Sequence, residues 1–185
     1  MQRGNGEGST MKEREDVVAA VLAAAGGELT GRVRLQKAVY LMDRLGLESG
    51  LSFDYHHYGP FSRDLDNATA DAKAFGLVEE EFERRQSDGA TYSIFRLKGQ
   101  PKPEAYGRLG AEKAGELARL FAGTNVTVLE LAATVDWLWH VEKYADWKSE
   151  ITKRKGVKVQ GGRLEKAVEL LAQLNLSPPP APAAA

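Results

Sequence analysis

Tyr55-His56-His57-Tyr58-Gly59-Pro60-Phe61-Ser62 is the stretch on which the fold of this chain turns. Pro60 fixes φ and Gly59 relieves a tight turn, so the aromatic approach must stop and change direction there. Ser62 then suits an N-cap, and Asp64 sits favourably in the first turn of the helix it opens. Leu65, Ala68, Ala72 and Phe75 form that helix's inward stripe, and Gly76 closes it before Leu77-Val78. Working upstream, Arg34-Leu35-Gln36-Lys37 runs into Val39-Tyr40-Leu41. The apolar positions Leu35, Ala38, Val39, Met42 and Leu45 predict a buried helix capped at Thr30 and stopped at Gly46. Before it, Val17, Val18, Val21, Leu22 and Ala25 predict a first helix ending at Gly26-Gly27.

Downstream the period changes from helical to alternating. Residues 78–84 and 91–97 flank Ser87-Asp88-Gly89, which predicts a β-hairpin over about 78–98. Pro101 and Pro103 end it, and a helix follows through Leu109, Ala114, Leu117 and Phe121. Thr127 with Glu130 reads as a capping box opening a helix with Leu131, Val135, Leu138 and Trp139 on one side. At helical pitch Trp137 lies about 200° from Trp139, so Trp139 is assigned to the core and Trp137 to a cover over the body or a second chain. Leu164, Ala167, Val168, Leu171 and Leu174 predict the last helix. The expected organisation is a polar tail over 1–10, one mainly α domain with a wing-like hairpin over 11–176, and a Pro/Ala-rich tail over 177–185. Both tails are expected to be disordered.

Of the 185 residues, 43% are hydrophobic, enough for a core, and none is cysteine. Disulfides and thiolate metal sites are therefore excluded, and a cytoplasmic location is expected. The apolar run Val17–Ala25 is too short to cross a bilayer, and Glu13, Glu15 and Asp16 precede it where a signal peptide carries bases. A net charge of −1 argues against a domain-wide basic surface. No glycine-rich phosphate loop, nucleophilic cysteine or serine elbow is present, so the chain reads as a non-enzyme with no cofactor. His56 and His57 alternate faces in an extended segment and cannot readily share an ion, so no metal is expected either.

With Leu35-Gln36-Lys37, Val39-Tyr40-Leu41, Tyr58-Gly59-Pro60-Phe61-Ser62 and Gly76-Leu77-Val78 in view, the chain resembles the Panacea/SocA-like family. That family includes YwgA-type bacterial proteins and phage-associated GepA-like proteins. The resemblance spans roughly residues 30–100, with Arg34 standing where the family pattern has Lys. It implies an all-helical domain with a small wing. It further implies an antitoxin-like role, by binding a toxin or presenting it to a protease.

The function expected from these readings is a protein-binding module, antitoxin-like or proteolytic-adaptor-like, with another protein as partner. Tyr55, Tyr58 and Phe61 would wall an apolar groove, with Lys37 and Arg63 on its polar rim. A homodimer is the accompanying expectation for any uncovered tryptophan. The alternative is a winged-helix-like DNA-binding transcriptional regulator, contacting nucleic acid through Arg84 and Arg85 of the wing and the basic run with Lys153, Arg154 and Lys155. The helix after Ser62 carries more acids than bases, and Glu79, Glu80, Glu81 and Glu83 offset the wing arginines, which places this reading second.

Overall fold

Val17 to Leu22 are fully buried on every side in the computed structural model, which describes residues 13–179. Their helix, α1 (Arg14–Ala24), is therefore a central post and not an amphipathic outer helix. Ala19 and Ala20 make this arrangement workable, because small side chains let neighbours approach from the faces that a one-sided stripe would leave to solvent. α3 (Arg63–Ala74), α4 (Gly110–Gly123) and the sheet pack around it. The rest of the helical body comprises α2 (Arg32–Arg44), α5 (Val126–Asp136), α6 (Trp147–Lys155) and α7 (Arg163–Gln173). Together they enclose one continuous apolar core running from Val17 to Leu174. The fold is mainly α with a small antiparallel sheet.

The hairpin forms where the alternation places it, as β4 (Val78–Arg84) and β5 (Thr91–Leu97). Gly89 takes a positive φ of 70°, and the Asp88 side chain accepts from the Ala90 amide, so the Asp-Gly pair makes the turn. A third strand, β1 (Glu28–Thr30), lies beside β5 with Leu29 opposite Phe95. The sequence did not announce it: three residues between glycines carry one apolar side chain, and the pairing is dictated by the edge of β5. Thr30 accordingly ends a strand, and Gly31 stands at the N-cap of α2. A second small ribbon pairs β2 (Asp54–His56) with β3 (Gly59–Phe61).

Other boundaries depart from the sequence reading for local reasons. Asn125, and not Thr127, caps α5, accepting from the amides of Thr127 and Val128. Glu130 is thereby released from a capping box. After Asp136 the chain makes a π-turn over Trp137–Val141, with the Glu142 amide bonded to the Trp137 carbonyl at 3.1 Å. That wider turn changes the angle per residue. Trp137 consequently points inward at 8% exposure, and Trp139 is the half-buried one, the reverse of the expected assignment. The expected 1–10 tail lies outside the described residues, as do 180–185. Within the expected C-terminal tail, Pro178 is buried and the Pro179 carbonyl accepts from the Trp147 indole at 3.1 Å. No helix among the described residues is long and apolar enough to cross a membrane.

At Gly59 the turn leaves no room for a side chain against α5. Its φ is 82°, and a Cβ there would run into the Thr134 hydroxyl on α5. Gly59→Ala should therefore destabilise the protein by roughly 2–4 kcal/mol, combining backbone strain with a steric clash. Urea denaturation checks this, and a change under about 0.5 kcal/mol, the range of ordinary surface substitutions, would contradict the close approach.

Candidate functional site

The two sequence patches meet in space, and their polar residues satisfy one another. Gln36 on α2 donates to the Ser62 carbonyl at 2.9 Å and accepts from the Ser62 amide at 2.8 Å. Its amide nitrogen also reaches Asp66 at 2.9 Å. Ser62 accepts from the Leu65 amide at 3.1 Å, as an N-cap should. Next to Gln36, the Lys37 ammonium donates to the Pro60 carbonyl. Further along α2, Tyr40 and Arg44 both donate to Asp136, at 2.6 and 2.8 Å. The motif residues of α2 thus tie the Tyr58–Ser62 turn and α5 to one helix. Burial and the Asp136 carboxylate hold the Tyr40 phenol well above its usual range.

Behind this lattice lies a buried ionic cluster. Glu130 of α5 accepts from Lys155 at 2.9 Å and from Lys158 at 2.9 and 3.0 Å. Lys155 also donates to the His57 carbonyl at 2.8 Å. One carboxylate therefore serves two ammoniums, with Lys37 as a third cation close enough to feel all three. Removing an ion from water costs several kcal/mol, and a single carboxylate cannot offset three such losses. Lys37 touches only a neutral carbonyl, so it is the group that yields. Burial lowers it to about 7; Glu130 works against that shift, while Lys155 and Lys158 add to it. Burial lowers Lys155 as well, against the pull of Glu130.

The expected site residues fall into three groups. Lys37 and Lys155 are buried, at 1% and 6% exposure, so neither can serve as a rim or nucleic-acid contact. Arg154 is engaged by Glu142 at 2.7 Å and Glu150 at 2.6 Å, and lies over the Tyr55 ring at 4.4 Å. Phe61 is half-buried against His56, with ring centres 4.7 Å apart. The exposed members are Tyr58, Arg63, Arg84, Arg85 and Lys153. Tyr58 carries Lys158 over its ring at 4.8 Å. The structure thus brings Lys37, Tyr55, Tyr58, Arg154 and Lys155 together, but mostly as an internal brace. Lys158 and Glu130 complete that brace and were not singled out as site residues, because spacing alone does not show that a helix acid is turned inward. No group of three or more metal-ligating side chains occurs among the described residues.

An open groove of about 580 Å³ lies elsewhere, between the start of α2, the hairpin and the start of α5. Arg32, Arg34 and Arg85 line it together with Tyr92, Val33 and Val126, and no acidic side chain does. The strand divides Glu79 to Glu83 between two faces, and Glu83 stays beside the groove, opposite Tyr92 and 2.7 Å from its hydroxyl. Glu79, Glu81 and Glu83 alternate with Val78 and Glu80, and Val78 faces the core. The Glu80 carboxylate is covered and held by Arg32, Lys73 and Ser93.

No family model matches this chain. It is 33% identical over 134 residues to a DNA ADP-ribosyl glycohydrolase of Thermus aquaticus, a match covering 69% of this chain and 36% of that protein. The matched region is thus about a third of the relative's length. This relative, named for a hydrolytic enzyme, overturns two expectations: a non-enzymatic protein-binding module of the antitoxin or adaptor kind, and, as the alternative, a winged-helix transcriptional regulator.

The Lys37 geometry sets a pH dependence. In the unfolded chain its ammonium keeps its proton up to about 10.5, whereas the folded state releases it near 7. Between pH about 7 and about 10, where tyrosines begin to ionise, the unfolded state binds more protons, so stability rises with pH. Lys37→Met should flatten that rise in urea unfolding measured across the window. A wild-type stability that falls over the same window contradicts the assignment.

Proposed function

We propose that this chain acts in the hydrolytic removal of ADP-ribose from DNA, as one part of a glycohydrolase. The similarity to the Thermus aquaticus enzyme carries this reading, and the arginine-lined groove supports it. The substrate is a polyanion bearing flat bases and a pyrophosphate, and such ligands are held by guanidinium groups and aromatic or apolar walls. A groove of about 580 Å³ lies within the range of small-ligand sites, about 300–1,000 Å³.

The buried carboxylates do a different job. Glu130 and Asp136 are each closed off by two cations or by a cation and a phenol, so they position α5 and the turn and leave a reacting sugar to other groups. In this reading the Panacea/SocA-like motif residues belong to the brace, and the family resemblance stands as part of the proposal. A cytoplasmic place of action goes with it, in line with a chain that has no cysteine.

The direct test is a synthetic oligonucleotide carrying ADP-ribose on a base, incubated with the purified chain and followed by mass spectrometry. The expected result is tighter binding of the modified strand than of its unmodified twin, with free ADP-ribose and the unmodified strand accumulating. An intact substrate that also binds no better than the unmodified strand contradicts the proposal.

A further inference from the structure

The three-stranded sheet ends on an open edge. In the order β1–β5–β4, β4 has a strand on one side only, and it runs for seven residues, Val78–Arg84. At its ends the Lys98 amide donates to the Leu77 carbonyl at 2.8 Å and the Arg85 amide to the Ala90 carbonyl at 2.9 Å. Antiparallel alternation therefore aims the amides and carbonyls of Glu80, Phe82 and Arg84 away from β5. Free edges of this length are a template for a further strand, and proteins shield them with charge. Glu79, Glu81 and Glu83 shield one face of β4. On the other face, beyond the covered Glu80, Phe82 is 63% exposed. Arg84 is exposed there too, with no ion pair among the described residues.

The end of the strand reads Glu81-Phe82-Glu83-Arg84-Arg85, a run complementary to its own reverse. Laid antiparallel on a second copy with Glu83 at the two-fold axis, Phe82 faces the copy's Arg84 and Glu81 faces its Arg85. Symmetry makes each pair twice. Arg84 gains an aromatic face, and Phe82 gains cover. Arg96 is shared between Glu81 and Glu28, so those acids have one charge to spare for Arg85. The bond from Arg85 to Asp88 joins side chains that are at least half exposed, and such pairs exchange readily. Glu83 meets itself, an unfavourable pair, but each Glu83 already accepts from a Tyr92 hydroxyl at 2.7 Å. Neighbouring registers that suit the outward amides are worse. Centred on Glu81, the strands would oppose Glu81 to itself and Glu79 to Glu83, with no base opposite an acid. Centred on Phe82, the gain of Glu79 against Arg85 is cancelled by Glu81 against Glu83. Arg84 would then face Glu80, which Arg32 and Lys73 already hold at 3.1 and 2.6 Å.

We infer that β4 pairs with β4 of a second copy of this chain, joining two sheets into one across an axis at Glu83. A ribbon of this length buries little area, so the association is weak and concentration-dependent. The inference goes beyond the hydrolytic reading and stands independently of it.

Sedimentation equilibrium of the full chain, at concentrations up to about 1 mM, tests this. The mass should move from one chain towards two, and hydrogen exchange at the Glu80, Phe82 and Arg84 amides should slow as concentration rises. Glu81→Arg and Arg85→Glu should each weaken association at least about tenfold, because both crossed pairs turn from attraction to repulsion. An equal mixture of the two variants should restore it: the substituted side chains then face each other with opposite signs, and the native pair re-forms on the other side of the axis. Circular dichroism confirms that both variants are folded. A single-chain mass at every concentration overturns the inference. So does a dimer that both variants leave intact, or one that the mixture fails to restore.

Discussion

A single buried carboxylate, Glu130, holds together parts of the chain that are far apart in sequence. It receives Lys155 and Lys158, and through Lys155 it reaches the His57 carbonyl at the entrance to the Tyr58–Ser62 turn. The turn is gripped from its other side by Gln36 and Lys37 of α2. Three segments, near residues 36, 58 and 155, thus converge on one acid of α5. Buried ion pairs are weak evidence for net stability, because desolvation consumes most of their Coulomb energy. Their force here is in geometry: an unpartnered charge in this position is so costly that competing arrangements of the turn and of α6 are disfavoured. Packing adds the second constraint, since Gly59 lies so close to Thr134 that only the observed approach of turn to helix fits.

This separation of brace from groove organises the functional reading. The residues with the most distinctive sequence spacing are consumed in holding the fold. The groove draws on residues with little individual distinction, namely arginines at the start of α2 and on the hairpin and a tyrosine on β5. Three guanidinium groups line it, two of them paired with carboxylates that lie outside the lining. Under the proposed function such a surface would receive the polyanion, while the brace holds α2 and the Tyr58–Ser62 turn against α5. α1 buries Asp16 to Leu22 on every side, packed against α3, α4 and β5.

Much of the fold is legible in the sequence. Helices α2, α3 and α7 and the hairpin follow from apolar spacing, the Ser62 cap and glycine stops, all local signals. β1 and the β2–β3 ribbon were not legible, because three-residue strands are chosen by the edges they join. The tryptophan assignment reversed because a π-turn altered the pitch, and no residue in Trp137–Val141 announces that turn. Among the site residues, Tyr55, Tyr58, Arg154 and Lys155 do cluster as their aromatic and basic character suggested, yet Lys37 and Lys155 turned inward. Whether a lysine snorkels to solvent or stays buried depends on a carboxylate nearly a hundred residues away for Lys37, which spacing cannot reveal. Arg34 looked like a minor motif variant, and its position beside the groove emerges only once the end of α4 is placed next to α2.

The central claim is that Glu130 and Lys155 are energetically coupled and not merely adjacent. A double-mutant cycle with Glu130→Gln, Lys155→Met and the double variant, read by urea unfolding at neutral pH, measures that coupling directly. The expected coupling is about 2 kcal/mol or more, with the double variant less destabilised than the sum of the single variants. Additivity within about 0.5 kcal/mol would show that the carboxylate does not hold the structure together.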